Sequence, residues 1–373
     1  MTVTDLYAPL IPVEVAPRID RLRSRFDEFA VDALLVTKLQ NIRYLTGFTG
    51  SAAVLIVGRD DALFVTDGRY AQRCREEMDA VGVRDVRVEI GLTAGAQRES
   101  LAAVATAGMR VGFEGADLTW SQHADFASAF AANLVNVQIV EELRRVKDAG
   151  EIDRIRRACA IADDAFQSIL PMLADGITEQ QFALALEFSM RERGASGNSF
   201  DPIIASGPNG SKPHAVPSDR VIGRNELVVC DFGCVVDGYC SDMTRTVSVG
   251  DPGADARHLY AVVLESQQAG RARVGIDVEC ADVDRASREV IASAGWAEAF
   301  SHGTGHGVGL EIHEAPRVAS TASDTLRAGD VVTVEPGVYL PGVGGVRIED
   351  TVVVGPAGAE PLTHSPKDLV LAV

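Results

Sequence analysis

The sequence predicts two domains: an α/β domain over residues 1–142 and an α+β domain with antiparallel strands over residues 143–373. Three observations carry that prediction. Strand and helix signals alternate through the first stretch. A capping-box pattern, Asp148-Ala-Gly-Glu151, opens a long amphipathic segment just beyond it. After Gly194 the apolar runs shorten and are separated by glycine-rich turns, which suits antiparallel strands. At 373 residues, 46% hydrophobic and 24% charged, the chain can bury a large core.

Taken in order, Pro17 opens a helix with Ile19, Leu22, Phe26 and Phe29 on one face. Ala33–Val36 reads as a strand and Asn41–Ser51 as a loop. A hairpin of Ala53–Val57 and Ala62–Thr66 follows, closed by Asp67–Tyr70. Signals then alternate through Val86–Ile90, Glu99–Ala105, Val111–Phe113, Ser121–Ala132 and Val135–Val140. Past the capping box, Ile152, Ile155, Cys159, Ala162, Phe166, Ile169 and Leu173 recur at spacings of three and four, giving a helix with one buried face. Further helices are predicted over Thr178–Arg193 and near Arg257–Val274 and Cys280–Ala294. No internal repeat or low-complexity tract interrupts the pattern.

The charge balance excludes some functions. A net charge of −18 disfavours phosphate-backbone contacts, so no nucleic-acid partner is expected. No apolar run reaches the roughly 18–20 residues of a membrane span. The leading MTVTDLYAPL lacks a basic region and carries Asp5, so no signal peptide is expected. Six scattered cysteines without a CxxC pair read as reduced thiols of a cytoplasmic protein.

The chemistry concentrates in the second domain. In Glu226–Val249, two β-rich apolar runs flank Asp237-Gly238, a dipeptide suited to a two-residue type I′ turn. That register sets Asp242 opposite Gly233 and makes it a diagonal neighbour of Asp231. It also sets Cys240 opposite Val235, on the face of both aspartates. Two close carboxylates in an apolar setting repel unless one is protonated or a cation lies between them. Ser301–Glu314 then gathers His302, His306 and His313 among glycines that argue against a helix. Glu335 ends an apolar strand before Pro336-Gly337, and Arg347 and Glu349 alternate onto one face of the Val346–Val354 strand. Either glutamate alone could be paired with an arginine. Together, four carboxylates and an imidazole match the charge of two divalent cations. The ligand set suits Mn²⁺ first, then Co²⁺, Fe²⁺ or Zn²⁺. Two such ions roughly 3.5–4 Å apart hold a bridging water, lower its pKa and polarise a carbonyl.

Five motifs in this order resemble the creatinase/prolidase-type "pita-bread" metallopeptidases, the Xaa-Pro dipeptidases (prolidases) and aminopeptidases P. They are Asp231-Phe-Gly, Ser241–Thr246, His302–Gly309, Glu335-Pro-Gly and Arg347-Ile-Glu349. Asn41–Ser51 and Asp67–Tyr70 resemble the family's creatinase-like N-terminal domain. The resemblance implies five metal ligands: Asp231, Asp242, His306, Glu335 and Glu349, with Asp242 and Glu349 bridging. It further implies that His214 lies near the substrate and leaving group, that His302 shapes the proline pocket and that His313 lies near the scissile carbonyl. Arg347 and Tyr339 would hydrogen-bond around the metal carboxylates. No ligand position is missing, unlike in creatinase and the histone-chaperone domains of this fold.

The reaction so implied is hydrolysis of the bond on the N-terminal side of proline in short peptides, with Glu335 as proton shuttle. An Xaa-Pro dipeptidase is the first expectation. The alternatives are an aminopeptidase P acting on longer peptides, a hydrolase of a small non-peptide amide, or a non-enzymatic peptide-binding scaffold. Methionine aminopeptidase fits less well, because that subfamily usually lacks the N-terminal domain. A homodimer is expected on the same resemblance.

Overall fold

The structure is a computed structural model and describes residues 8–371. The start of the chain, read above as lacking a signal-peptide pattern, lies for its first seven residues outside that range. The chain divides into two compact units. One is Pro12–Arg144; the other runs from Arg145 onward and takes in the leading segment up to Ile11.

The first unit is a mixed six-stranded sheet with helices. Its strands lie side by side in the order Arg87–Ile90, Ala62–Thr66, Ala53–Gly58, Ala33–Val36, Arg110–Phe113 and Asn133–Asn136. Ala53–Gly58 pairs antiparallel with both its neighbours, and the remaining pairs are parallel. Ala33, Leu35, Ile56, Leu63, Val65 and Val111 pack with Leu101 and Phe126 of two covering helices.

Three elements of this unit differ from expectation. The Pro17 helix spans only Arg18–Arg23, and turns carry Phe26 into the core. Residues Leu39–Thr46 form a helix rather than a loop, stopped by Gly47 at a φ of 76°. Val135–Val140 is split between a strand, Asn133–Asn136, and a helix, Ile139–Arg145.

In the second unit, two helix pairs each cover one set of strands. The capping box of Asp148 and Glu151 forms with both its hydrogen bonds and starts the Ala149–Ile169 helix. Ile155, Ala158, Ala162, Phe166 and Ile169 are buried along it. The last four, with Phe182, Leu186 and Met190 of the Glu179–Glu192 helix, pack on Val228, Cys230, Phe232, Met243 and Val247. The second pair, Ala254–Arg273 and Cys280–Ser293, covers Val332, Val334, Val352 and Val354 on one side and Val338, Val346 and Ile348 on the other.

The strands alternate, so what faces away from the helices is fixed by what packs on them. Between Val228, Cys230 and Phe232 the opposite face carries Val229 and Asp231. Beside Val332 and Val334 it carries Thr333, and beside Val346 and Ile348 it carries Arg347 and Glu349. Charged side chains therefore collect on the inner faces of two sheets.

Candidate metal centre and active site

The site is built where two long hairpins break. Around the Asp237-Gly238 turn both residues have positive φ, 43° and 76°, as a type I′ turn requires. Val235 pairs with Cys240, Phe232 with Met243 and Asp231 with Thr244, which is the expected register. The ladder is interrupted between these pairs at Gly233 and Ser241-Asp242. A Cβ on Gly233 would lie 1.8 Å from the Ser241 carbonyl oxygen, so only glycine fits there. The interruption turns Asp242 inward. It also means that strict alternation does not carry through to Cys240, which is buried and does not line the cavity; its amide donates to the Gly309 carbonyl. The pairing of Cys240 with Val235 is the expected one, and the thiol is not among the residues that line the aspartates' cavity.

The second hairpin breaks in the same manner. The expected single strand Val346–Val354 is two strands, Gly344–Arg347 and Asp350–Gly355, which belong to different sheets. Its partner likewise divides into Val331–Val334 and Gly337–Leu340. Val334 pairs with Asp350 and Gly337 with Arg347, so Glu335 and Glu349 face the gap from opposite sides.

Ligand-type oxygens of Asp231, Asp242 and Glu349 lie within 4.8 Å of one another, all three residues buried. His306, on the Gly305–Gly307 strand, brings Nε2 to 3.5 Å from Asp242 Oδ2 and 3.3 Å from Glu335 Oε1. Its Nδ1 donates to the Gly307 carbonyl at 3.0 Å, because a carbonyl can only accept. That leaves Nε2 as the nitrogen presented to the acids. A Cβ at Gly305 would lie 2.0 Å from the Thr333 carbonyl oxygen, so glycine beside His306 permits this close approach.

Arg347 organises the other side. It donates to Asp231 Oδ2, to Thr244 Oγ1 at 3.0 Å, to the Pro213 carbonyl at 3.2 Å and to the Tyr339 hydroxyl at 2.6 Å. Thr244 in turn donates to Glu349 Oε2 at 2.7 Å. Tyr339 lies behind the cavity wall; burial pushes its phenol up to about 12.

The electrostatics describe a site short of positive charge. Burial raises the pKa of Asp242 well above the carboxylate range, and Glu349 and Asp231 add to the rise. Burial also raises Glu349, followed by the charges of Glu335 and Asp231. Asp231 is raised by burial against the opposing charge of Arg347. Glu335 is the exception. Burial opposes its ionisation, but the hydrogen bond and charge of His306 outweigh that and draw it down to about 2. Asp231 Oδ1 and Glu349 Oε1 are buried with no hydrogen-bond partner. Two orphaned carboxylate oxygens and an imidazole nitrogen presented to a cluster of acids fit divalent cations.

All five residues line a cavity of about 660 Å³ together with His214, His302, His313, Arg317 and Arg347. His214 and His313 are exposed, and the His313 ring meets His306 edge-on at 4.3 Å. Phe200, Pro202, Ile203, Pro213, Val216 and Ile312 give the cavity its apolar surface. Arg317 carries no sequence signature. It enters the site because its strand, Glu314–Val318, pairs with His306, and its exposed guanidinium has no partner among the described residues.

A model of metallopeptidase family M24 matches residues 153–356, and a model of the creatinase/prolidase N-terminal domain matches residues 18–146. The chain belongs to metallopeptidase family M24. It is 40% identical over 356 residues to YqhT, an uncharacterized peptidase of Bacillus subtilis, covering 95% of this chain and 99% of that one. Among solved structures it is similar to an Xaa-Pro dipeptidase from Bacillus anthracis, with a TM-score of 0.89, 40% identity and coverage of 95% and 99%. It is also similar to an X-Pro aminopeptidase from Thermotoga maritima, with a TM-score of 0.83, 33% identity and coverage of 95% and 100%. The protein is therefore a peptidase of the pita-bread fold, from a family whose activity depends on two metal ions. No helix among the described residues is long and apolar enough to cross a membrane.

Proposed function

We propose that this M24 enzyme is an Xaa-Pro dipeptidase whose two divalent ions are held by Asp231, Asp242, His306, Glu335 and Glu349. The oxygen-rich donor set favours Mn²⁺. Bound there, the ions supply Lewis acidity and an acidified water. The observation that supports a dipeptidase is Arg317, a guanidinium without a partner among the described residues, which lines the same cavity as the acids. A dipeptide places its C-terminal carboxylate one residue from the scissile bond, and a planar guanidinium binds a carboxylate through two parallel hydrogen bonds. A longer peptide has a neutral amide at that point.

The chain's own residues do the rest. His302 is held neutral: its Nδ1 donates to the Gly303 carbonyl at 2.8 Å, and Nε2 accepts from Tyr339 at 2.9 Å. Burial lowers its pKa in the same sense. A ring fixed and uncharged in this way forms a wall for the prolyl ring. Glu335 engages His306 and Thr333 through Oε1, so Oε2 is the oxygen placed to carry a proton to the leaving prolyl nitrogen. His313 and His214, both exposed to the cavity, contact the scissile carbonyl and the leaving group.

The test compares Ala-Pro with Ala-Pro-Ala, using the Mn²⁺-loaded enzyme. The proposal expects Ala-Pro to be preferred and Arg317→Ala to raise KM for Ala-Pro while sparing Ala-Pro-Ala. A preference for the tripeptide, unaffected by Arg317→Ala, would make the enzyme an Xaa-Pro aminopeptidase.

A further inference from the structure

Glu179 does not line the cavity, yet it anchors the loop that forms one wall of it. It occupies the first turn of the Glu179–Glu192 helix, after the Thr178 N-cap. A glutamate there ordinarily faces water and interacts with the helix dipole. Glu179 is instead fully buried and uses both carboxylate oxygens outside its own helix.

Oε1 accepts from the Ser206 amide and hydroxyl, each at 2.7 Å. Oε2 accepts from the Ser218 amide at 3.0 Å and the Ser218 hydroxyl at 2.6 Å. Asn209 Nδ2 lies 3.2 and 3.1 Å from the two oxygens. Burial pushes the Glu179 carboxyl up, but the bonds from Ser218 and Ser206 more than reverse this and keep it below the usual range. One buried anion thus holds both ends of the segment from Ser206 to Ser218, with Asn209 as a second contact near its start.

The cavity wall lies between those anchors: Pro213, His214, Ala215, Val216 and Pro217. His214 is exposed and stands in a segment with no regular secondary structure, Pro213 to Pro217 being part of no helix or strand. The wall is also tied to the site by the Arg347 bond to the Pro213 carbonyl and by Ala215, which packs with Ala205 and Val229. We infer that Glu179 is a positioning residue for catalysis, which acts by fixing the Ser206–Ser218 loop so that His214 meets the substrate. The inference rests on the peptidase reading of His214 given above.

The test has two arms. In the first, the His214 imidazole signal is assigned in ¹H–¹⁵N spectra by its loss in His214→Ala and followed in Glu179→Gln. The isosteric amide turns one acceptor oxygen into a donor facing donors, so the His214 signal is expected to shift and broaden while those of His123 and His258 stay. An unmoved His214 signal would overturn the inference whatever the substrate proves to be.

The second arm is a double-mutant cycle on whichever peptide the parent hydrolyses fastest. Glu179→Gln is expected to lower kcat by roughly 10- to 100-fold, as about 1 Å of misplacement can, with KM little changed and metal content equal to the parent. In the His214→Ala background the same change is expected to cost no more than about twofold, because residues acting as one unit are not additive. Full additivity would overturn positioning in favour of a general structural role. Ser218→Ala removes one donor and keeps the test open if the Glu179 variants do not fold; it is expected to move the His214 signal less and in the same sense. Failure of the parent to cleave Xaa-Pro peptides, with the His214 signal still moved by Glu179→Gln, would reject the proline reading and leave the positioning of His214 standing.

Discussion

The phenol of Tyr339 donates its proton to His302 Nε2 across 2.9 Å. The direction follows from the ring: the Gly303 carbonyl takes the Nδ1 proton of neutral His302, which leaves Nε2 as the acceptor, and the phenol oxygen itself accepts from Arg347. Tyr339→Phe removes an acceptor from a buried guanidinium and a donor from a half-buried ring. The expected cost is about 1–3 kcal/mol of stability, read by urea unfolding of the metal-loaded protein, with both metal equivalents retained. An unchanged unfolding midpoint would contradict the relay.

The metal assignment is tested by stoichiometry. Asp242→Ala or Glu349→Ala removes a carboxylate from the centre of the buried cluster. Each variant is expected to lose metal on gel filtration and to lose turnover. Two equivalents still bound to Asp242→Ala, with parental activity, would exclude a dinuclear centre built on these acids.

The raised carboxyls also predict how stability depends on pH. Asp242 and Glu349 have folded pKa values well above their unfolded values of roughly 4. Between those values the folded state binds more protons than the unfolded state, so stability falls as pH rises. Their contribution is full below about pH 4 and is lost as pH climbs through the folded values. Groups held low, such as Asp350, have the opposite sign, but they act equally with and without metal. The gap in Tm between metal-loaded and EDTA-treated protein should therefore widen from pH 5 to pH 8. A gap independent of pH would mean that the metal-free carboxyls hold no protons for the cations to displace over this range, and so are not raised.

The hairpin break gives a further prediction. Gly233→Ala sets a methyl group 1.8 Å from a backbone oxygen, and backbone cannot swing aside as a side chain can. A loss of at least about 1–3 kcal/mol is expected, together with weaker metal binding through displaced Asp242. Parental stability by urea unfolding would show that the break is not built as described.

Much of this architecture was legible in the sequence, for identifiable reasons. The register of the Asp237-Gly238 hairpin followed from a turn that permits only one pairing, and the Asp148–Glu151 cap from a local hydrogen-bond pattern. The convergence of Asp231, Asp242, His306, Glu335 and Glu349 was expected from motifs, and the structure brings these five residues around one cavity. What local pattern could not show were the interruptions. Glu349 was read within one strand, because Val346 to Val354 is apolar and alternating throughout; the switch between sheets at Ile348-Glu349 is set by pairing with two different strands. Arg317 and Glu179 were missed because their roles depend on contacts distant in sequence: one on the pairing of its strand with His306, the other on a loop some thirty residues on.

The central claim is selectivity for proline, and matched dipeptides test it most directly. Both nitrogens of the His302 ring are engaged, by the Gly303 carbonyl and the Tyr339 hydroxyl, so this wall offers no acceptor to the N–H of a secondary amide. Burying that N–H unpaired costs about 1–3 kcal/mol, or roughly ten- to a hundred-fold in kcat/KM before steric terms. For the Mn²⁺-loaded enzyme, kcat/KM for Ala-Pro is therefore expected to exceed that for Ala-Leu by at least that factor, and His302→Ala to narrow the difference. If Ala-Leu is hydrolysed as fast as Ala-Pro, the enzyme is a general dipeptidase and the account of the proline pocket is wrong.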